Sequence, residues 1–266
     1  MKRGPFDPLR LIQKQINERP RLRELLTRLR HGARERDVQL FRRPLRISTL
    51  RENGYYRAAR LSAANSLMRD ETLVMQRISM FLGDGVTFVD IGANVGIFSS
   101  VIADAQRLFR DFRVVAFEAD PATFARLQVN AGRFGFEAVN VAIAAEAGQL
   151  DFATGAVSGI ATVRDRAGKA HIAGRGFAVA ARRLDSFDLP GTLVLKIDVE
   201  HMELDVLEGA RRLFEEGRVA AVYLDEFDDK AAVLDFLAGY GFELFGPFRM
   251  RPYKPGIRAL LAVKRC

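Results

Sequence analysis

Cysteine is almost absent from this sequence: among 266 residues the only one is Cys266, at the last position. A disulfide framework is therefore excluded, and so is a cluster of cysteine ligands for zinc or an iron–sulfur centre. Histidine is scarce as well, and the three present, His31, His171 and His201, are far apart in the chain. We expect no bound metal, and a reducing cytoplasm is the expected compartment.

Long apolar runs are also missing. No uninterrupted run approaches the ~20 residues needed to cross a bilayer. Residues 1–20, MKRGPFDPLRLIQKQINERP, lack the apolar centre of a signal peptide. Because both features are absent, the sequence predicts a soluble, cytoplasmic protein.

Acidic residues are scarce in the first third of the chain. Residues 1–80 contain 19 Lys and Arg against 8 Asp and Glu, a net charge of +11, whereas the remainder has 22 against 25. This basic stretch could face an anionic membrane surface, a phosphorylated or acidic acceptor, or nucleic acid, and it could equally be a solvated helical face. Regularly stacked aromatic residues, expected in a single-strand binder, do not accompany the arginines. Nucleic acid therefore ranks below the other partners.

Hydrophobic periodicity divides the chain near residue 80. Residues 1–80 are predicted to form a basic, mainly helical accessory segment, serving as a substrate lid or an oligomer contact. It has one or two helices at 8–40, followed by one or two short strands and a further helix. In residues 81–266, buried strands alternate with amphipathic helices, which predicts right-handed βαβ crossovers and a parallel sheet covered on both faces. The predicted strands are 87–92, 113–119, 139–144, 192–199 and 219–227, with helices at 95–109, 121–135, 201–217 and 228–241, hairpin strands at 148–154 and 176–184, and a closing antiparallel hairpin of 242–248 and 257–265 at the sheet edge.

The exit of the first of these strands, DIGANVG, is rich in glycine. Gly92 and Gly96 let the backbone approach a ligand closely, and Asn94 tolerates the left-handed conformation that such a turn needs. Glu118 ends the second strand, where a carboxylate can accept both hydroxyls of an adenosine ribose. Loop and acid together predict a nucleoside cofactor, either a nicotinamide dinucleotide or S-adenosylmethionine.

The loop sequence favours one of these two cofactors. A dinucleotide loop has the pattern G-x-G-x-x-G and places pyrophosphate on a helix N-terminus, but this loop reads G-A-N-V-G and lacks the second glycine at that spacing. Asp90, just before the loop, is awkward beside a pyrophosphate and suits the α-amino group of a methionine moiety. S-adenosylmethionine is therefore the predicted cofactor.

Five blocks of the chain resemble, in order, the FkbM family of S-adenosylmethionine-dependent methyltransferases. They are DIGANVGIFS, VVAFEADPATFARLQVN, VAIAAEAGQLDF, RRLDSF and LVLKIDVEHMELDVLEGA, and the resemblance runs from about residue 75 to 245. It implies a class I methyltransferase fold, Rossmann-like, with a seven-stranded, mostly parallel sheet and one antiparallel edge strand. It also implies O-methylation of a hydroxyl. The cofactor-binding residues expected from the motifs and the family together are Asp90, Gly92, Ala93, Asn94, Gly96, Glu118, Ala119, Ala142 and Asp198.

Two residues depart from the family's pattern. The family usually has glycine after K-I-D-V-E, where this chain has His201, and proline after the ribose acid, where this chain has Ala119. The second departure is minor. The first changes the chemistry available beside the methyl group.

Methylation of a hydroxyl needs a general base near the exits of the fourth and fifth strands. The candidate catalytic residues are His201, Asp198, Glu200 and Glu226. The ordinary pKa of imidazole, about 6.5, suits a base at neutral pH, although His201 could simply replace the family's glycine as a surface residue. Lys196 is expected to pair with one of the acids. The carboxylates of Asp198, Glu200, Glu226 and Asp225 could also hold magnesium, but no spacing demands a metal.

Other acceptors and other functions stay open at this point. The D/N-P-P-Y/F turn of adenine or amide N-methylation is replaced here by DVEH, and Cys266 is terminal, so no cysteine suits cytosine C5 chemistry. A sugar, a glycolipid or another small molecule is the leading acceptor, and a homo-oligomer is conceivable. The alternatives are an RNA ribose methyltransferase that uses the basic N-terminal third and a non-catalytic cofactor-binding homologue.

Overall fold

The structure is a computed structural model, and it describes residues 25–26, 28–30, 32–39, 43–60, 66–154, 161–163, 175–199, 201–227 and 230–265. The strands are β1 (Glu35–Val38), β2 (Leu45–Ser48), β3 (Val86–Ile91), β4 (Arg113–Phe117), β5 (Glu137–Val139), β6 (Ala142–Ile143), β7 (Gly148–Thr154), β8 (Ala161–Val163), β9 (Arg175–Arg182), β10 (Thr192–Ile197), β11 (Val219–Leu224), β12 (Phe242–Gly246), β13 (Arg251–Pro252) and β14 (Leu260–Lys264). The helices are α1 (Asn53–Arg60), α2 (Ser66–Ile78), α3 (Ile97–Ile102), α4 (Pro121–Phe134), α5 (Glu203–Gly209), α6 (Arg211–Glu215) and α7 (Lys230–Gly239).

The largest sheet has the strand order β13-β12-β14-β11-β10-β3-β4-β5. Its central strands, from β5 to β11, are parallel, and β14 is antiparallel to both of its neighbours. The chain order reverses between β3 and β10, and in such sheets ligands bind in the crevice beyond the carboxyl ends of the strands at that reversal. The predicted α/β fold is confirmed.

Two details of this sheet differ from the expectation. It has eight strands rather than seven, because Arg251 and Pro252 form a short strand that pairs with Phe245 and Gly246. The antiparallel strand is also not at the edge, since β14 lies between β11 and β12. The connection at 247–259, described throughout, contains no α-helix. A parallel return would need a crossover, so β14 comes back antiparallel beside β12, as the predicted hairpin.

Helices cover both faces of the sheet because its strands are apolar on both sides. All six residues of β3 are buried. Phe88 belongs to a core shared with α2, α3 and α4, whereas its neighbour Val89 belongs to a core shared with α5, α6 and α7. This double burial explains the continuous apolar runs from which the strands were predicted.

Three predicted elements are divided in the structure. The helix at 95–109 is α3 followed by a 3-10 turn at Ala103–Arg107, and the helix at 201–217 breaks at Ala210 into α5 and α6. The strand at 139–144 becomes β5 and β6, because β6 leaves the main sheet and pairs with β9 in a second sheet of order β6-β9-β7-β8. The predicted pairing of 148–154 with 176–184 is confirmed by β7 and β9.

The accessory segment packs against the larger domain where the structure describes it. β1 and β2 form a hairpin, so residues 35–38 are a strand rather than the predicted helix. The Glu52 carboxylate and the Arg126 guanidinium of α4 form a buried ion pair at 2.7 Å. The predicted helical residues 8–24 lie outside the described ranges, and the domain boundary at residue 80 stays a prediction. Among the described residues, no helix is both long and apolar enough to span a membrane.

Candidate active site

The loop after β3 is a left-handed turn pressed against the end of β10. Gly92, Asn94 and Gly96 have φ angles of 71°, 52° and 80°, in a region that residues other than glycine and asparagine seldom adopt. A Cβ added at Gly92 would collide with the main-chain oxygen of Asp198, and one at Gly96 would lie 2.7 Å from Leu127 Cδ1. Conformation and space therefore both require glycine at these two positions.

Glu118 lies beside this loop, at the end of β4. Its Oε2 accepts a hydrogen bond from the Asn94 N–H and its Oε1 accepts one from the Asp120 N–H, both at 2.9 Å. Glu118 is only 9% exposed. Burial raises the pKa of Glu118 to about 7, although the two main-chain donors oppose the rise. A carboxylate has about four acceptor positions, so two of them are available to hydroxyl donors of a ligand.

Asn140, which the sequence analysis missed, stabilises the backbone after β4 through hydrogen bonds. The Asn140 Nδ2 donates to the main-chain oxygens of Glu118 at 2.8 Å and Ala119 at 3.1 Å. Ala119 packs against a small apolar cluster that contains Ala142. The structure thus brings together two of the predicted cofactor residues, Ala119 and Ala142, next to the acid.

Lys196 is the buried centre of a charge cluster beneath the loop. Its Nζ lies 3.0 Å from Asp90 Oδ1 and 3.3 Å from Asp198 Oδ2, and it donates to the Gly92 carbonyl at 3.3 Å. Burial by itself lowers the pKa of Lys196, but Asp198 and Asp90 outweigh burial and raise it above its ordinary value. The predicted pairing of Lys196 with an acid is confirmed.

Asp90 is occupied by partners within the chain. Its Oδ2 accepts a hydrogen bond from Ser99 Oγ at 2.7 Å, its Oδ1 faces Lys196, and its side chain is 1% exposed. Such a carboxylate orients the lysine and the loop above it. Direct contact of Asp90 with an α-amino group stays a prediction.

A cavity of about 110 Å³ opens beyond the ends of β10 and β11. Three of the four predicted catalytic residues, Asp198, His201 and Glu226, line this cavity. The fourth, Glu200, lies outside the described residues. The carboxyl ends of neighbouring parallel strands meet at one edge of the sheet, which explains why residues from both strands converge here.

Arg258, which no motif indicated, compensates the acids on one wall of this cavity. Its Nη2 lies 2.9 Å from Asp225 Oδ2 and its Nε lies 3.3 Å from Glu226 Oε2. Asp225 also accepts a hydrogen bond from the Tyr223 hydroxyl at 2.7 Å.

The model of the methyltransferase FkbM domain matches residues 90–244, more than half of the chain, and this range contains the glycine loop, Glu118 and Lys196. The chain belongs to the FkbM methyltransferase family. No curated protein matches it.

Solved structures similar to this FkbM family member share little sequence with it. The FkbM methyltransferase from Methylobacillus flagellatus KT is 18% identical, with a TM-score of 0.42, and the match covers 68% of this chain and 44% of that one. A TehB-like SAM-dependent methyltransferase from Corynebacterium glutamicum ATCC 13032 is 14% identical, covering 80% and 97%, with a TM-score of 0.43. An rRNA methylase from Streptococcus thermophilus is 11% identical, covering 72% and 94%, with a TM-score of 0.40. This chain therefore spans less than half the length of the first of these proteins.

His201 has the backbone conformation of the glycine that FkbM proteins usually carry at this position. Its φ is +66°, which costs a residue with a Cβ about 1–2 kcal/mol. The side chain is exposed at the cavity wall. The imidazole therefore stands on the cavity wall at a position where the backbone favours glycine.

Two further ionisable residues reach this region from the accessory segment. The Tyr55 hydroxyl donates to Glu71 Oε1 at 3.0 Å. Burial raises the pKa of Glu71 to about 7, and the charges of Lys196 and Asp198 also act on it, the first lowering and the second raising its pKa. Both residues precede the part of the chain that matches the FkbM model, so no motif could indicate them. The charges of Lys196 and Asp198 therefore act on residues of α1 and α2.

Within the described ranges, no group of three or more His, Cys, Asp or Glu residues is arranged to hold a metal ion. The carboxylates of Asp225 and Glu226, considered earlier for magnesium, face Arg258 instead.

Proposed function

We propose that this protein is an S-adenosylmethionine-dependent methyltransferase that methylates a hydroxyl on a sugar, a glycolipid or another small molecule. The observation that carries the proposal is the placement of Glu118. It is a buried carboxylate at the strand-order reversal, beside a left-handed glycine loop, with acceptor positions left for a sugar's hydroxyls. Family membership supports the same chemistry.

The residues present fit a cationic nucleoside better than a dinucleotide. Glu118 offers acceptors for ribose hydroxyls, and Asn94 Oδ1 is buried with no partner among the described residues, so it is a further acceptor beside the loop. Asp90 and Asp198 outnumber the single Lys196 between them. This excess of negative charge favours a ligand with a positive sulfonium and disfavours a pyrophosphate.

The bound cofactor would supply a methyl group on a positively charged sulfur. The protein's task is to hold the acceptor hydroxyl in line and to take its proton. Asp198 and His201 are the candidate proton acceptors on the cavity wall. Desolvation raises the pKa of the half-exposed Asp198, although Lys196 opposes the rise, and this moves the carboxylate toward the range where it accepts a proton. Arg258 positions the carboxylates of Asp225 and Glu226 in the cavity wall.

Two measurements test the proposal. Calorimetry should show binding of S-adenosylhomocysteine, and binding of NAD in its place would refute the cofactor. Labelled S-adenosylmethionine, incubated with fractionated metabolites, lipids and RNA from the source cell, should label a metabolite or lipid. Label in RNA would instead identify the ribose methyltransferase, and cofactor binding without any transfer would identify a non-catalytic homologue.

A further inference from the structure

A second, larger cavity lies in the accessory segment and shares no lining residue with the cavity at β10 and β11. Its volume is about 780 Å³. We name it the arginine basin, because Arg28, Arg30, Arg34 and Arg36 line it, together with Tyr56 and Ala59 of α1. A volume of this size is within the range of ligand sites, roughly 300–1,000 Å³.

Three of the arginines that line the basin have no carboxylate partner among the described residues. Among the residues that the structure describes, no carboxylate lies within ion-pair distance of Arg30, Arg34 or Arg36. The carboxylate in the basin wall, Asp37, is already held by two arginines outside the basin, Arg46 at 2.7 Å and Arg133 at 2.8 Å. These contacts keep the pKa of Asp37 far below its ordinary value, so that it stays ionised and paired.

Elsewhere in the described chain, arginines are commonly paired. Arg110, Arg126, Arg183, Arg211, Arg258 and Arg265 each have a carboxylate within 3.3 Å. At those positions the fold places an acidic side chain beside the arginine. Because no described carboxylate pairs with Arg30, Arg34 or Arg36, their guanidinium donors are available to an external anion.

Hydrogen bonds and strand pairing position the backbone at Arg34 and Arg36. The buried Thr49 accepts a hydrogen bond from the Arg34 N–H at 3.1 Å and donates through its hydroxyl to the Gly32 carbonyl at 2.7 Å. Arg36 lies on β1, opposite the fully buried Ile47 of β2. Binding an anion would therefore order only side chains, which lowers its entropic cost.

Helix α1 is shared between the basin and the candidate active site. Tyr56 lines the basin, whereas its neighbour Tyr55 bonds Glu71, on which the charges of Lys196 and Asp198 act. With side chains, a helix is about 10–12 Å across. A ligand that places its charged end in the basin and another part near the site must therefore be longer than about 10–12 Å.

We propose that the arginine basin binds a phosphoryl group of the methyl acceptor. A guanidinium matches a tetrahedral oxyanion through two parallel hydrogen bonds, and several guanidinium groups in one cavity favour a multiply charged phosphate over a single carboxylate. The identification of the phosphorylated ligand as the methyl acceptor rests on the proposed function. Phosphate binding by the basin is independent of the proposed function.

The test uses the full chain and inorganic pyrophosphate as the probe, in calorimetry at about 150 mM salt, where remote surface charges are screened. The variant is Arg34→Gln/Arg36→Gln. The control, Arg110→Gln/Arg265→Gln, removes the same charge from two arginines whose side chains are 89% and 76% exposed. We expect the first variant to bind at least about tenfold more weakly, as for the loss of a charge-assisted hydrogen bond, and the control to match the unmodified chain.

Three results would overturn the proposal. They are no pyrophosphate binding by the unmodified chain, equal weakening in both variants, and full affinity in Arg34→Lys/Arg36→Lys, which keeps the charge and removes the fork. An RNA oligonucleotide that binds with a steep salt slope while pyrophosphate does not would also overturn it. Binding to vesicles containing phosphatidic acid, in addition to pyrophosphate, would support a lipid-borne phosphate, and pyrophosphate alone a soluble one. S-adenosylhomocysteine binding, measured on the same proteins, reports separately on the proposed function.

Discussion

Glu118 offers the sharpest test of the site, because its environment makes cofactor binding depend on pH. Burial raises the pKa of Glu118 from 4.5 to about 7, which corresponds to about 3 kcal/mol against the charged form in the folded protein. Because the folded-state pKa is raised, the stability that this group contributes is fully present below pH 4.5 and is lost as the pH rises through about 7. The neutral Glu118→Gln variant lacks this titration.

The first expected result concerns the unliganded protein. Urea unfolding should show that the unmodified chain loses up to about 3 kcal/mol of stability relative to Glu118→Gln between pH 4.5 and pH 8. Glu71 titrates in the same direction, but it is present in both proteins and cancels in the comparison. The amide of the variant also meets a main-chain N–H, at Asn94 or Asp120, which adds a pH-independent cost of about 1–3 kcal/mol.

The second expected result concerns the ligand. Ribose hydroxyls need the ionised carboxylate, so calorimetry should show S-adenosylhomocysteine binding more weakly below pH 7, by up to about tenfold per pH unit. Glu118→Gln should bind about 10- to 100-fold more weakly at pH 8, since it loses hydrogen bonds to a charged acceptor, and its affinity should barely change with pH. Glu137→Gln, at an exposed carboxyl at the start of β5, is the control. Equal pH slopes in all three proteins would refute the reasoning.

Three further substitutions test other parts of the site. Lys196→Met leaves Asp90 buried and unpaired, so urea unfolding should show a loss of about 3–5 kcal/mol in the free energy of unfolding. Adding Asp90→Asn should recover much of this loss. An unchanged free energy of unfolding in Lys196→Met alone would contradict the importance of the charge cluster. Gly92→Ala places a Cβ against the main chain at the end of β10, so S-adenosylhomocysteine binding should fall at least tenfold, whereas Gly132→Ala, on a helix with open space around it, should raise stability by about 1 kcal/mol. His201→Gly removes the strain of a φ of +66° and should raise thermal stability by about 1 kcal/mol; if turnover and its pH profile on the true acceptor stay unchanged, His201 is not the base.

The glycine loop and Glu118 could be predicted because each depends on nearby sequence. The left-handed φ angles of Gly92, Asn94 and Gly96 are properties of single residues that glycine and asparagine adopt at low cost. Glu118 follows an apolar strand that pairs with β3 in parallel, and parallel neighbours end at the same edge of the sheet. A strand pattern therefore indicates which residues meet there.

Elements on the margins of the fold were harder to predict. Residues 35–38 form a strand because they pair with Leu45–Ser48, and such a pairing overrides local helical spacing. β6 separates from β5 because its partner, β9, lies some 40 positions later in the chain. Each of these choices depends on a partner strand that local periodicity does not reveal.

The parallel core, the loop that bends at Gly92 and the acid beside it follow from the sequence alone, because period, chirality and strand direction act over a few residues. Packing of distant segments places Arg258 against Asp225, brings the charge of Asp198 to bear on Tyr55 and Glu71, and leaves Arg30, Arg34 and Arg36 without a carboxylate partner among the described residues. Those contacts join segments tens of residues apart, and their geometry depends on how whole helices and strands pack. No local pattern encodes that packing.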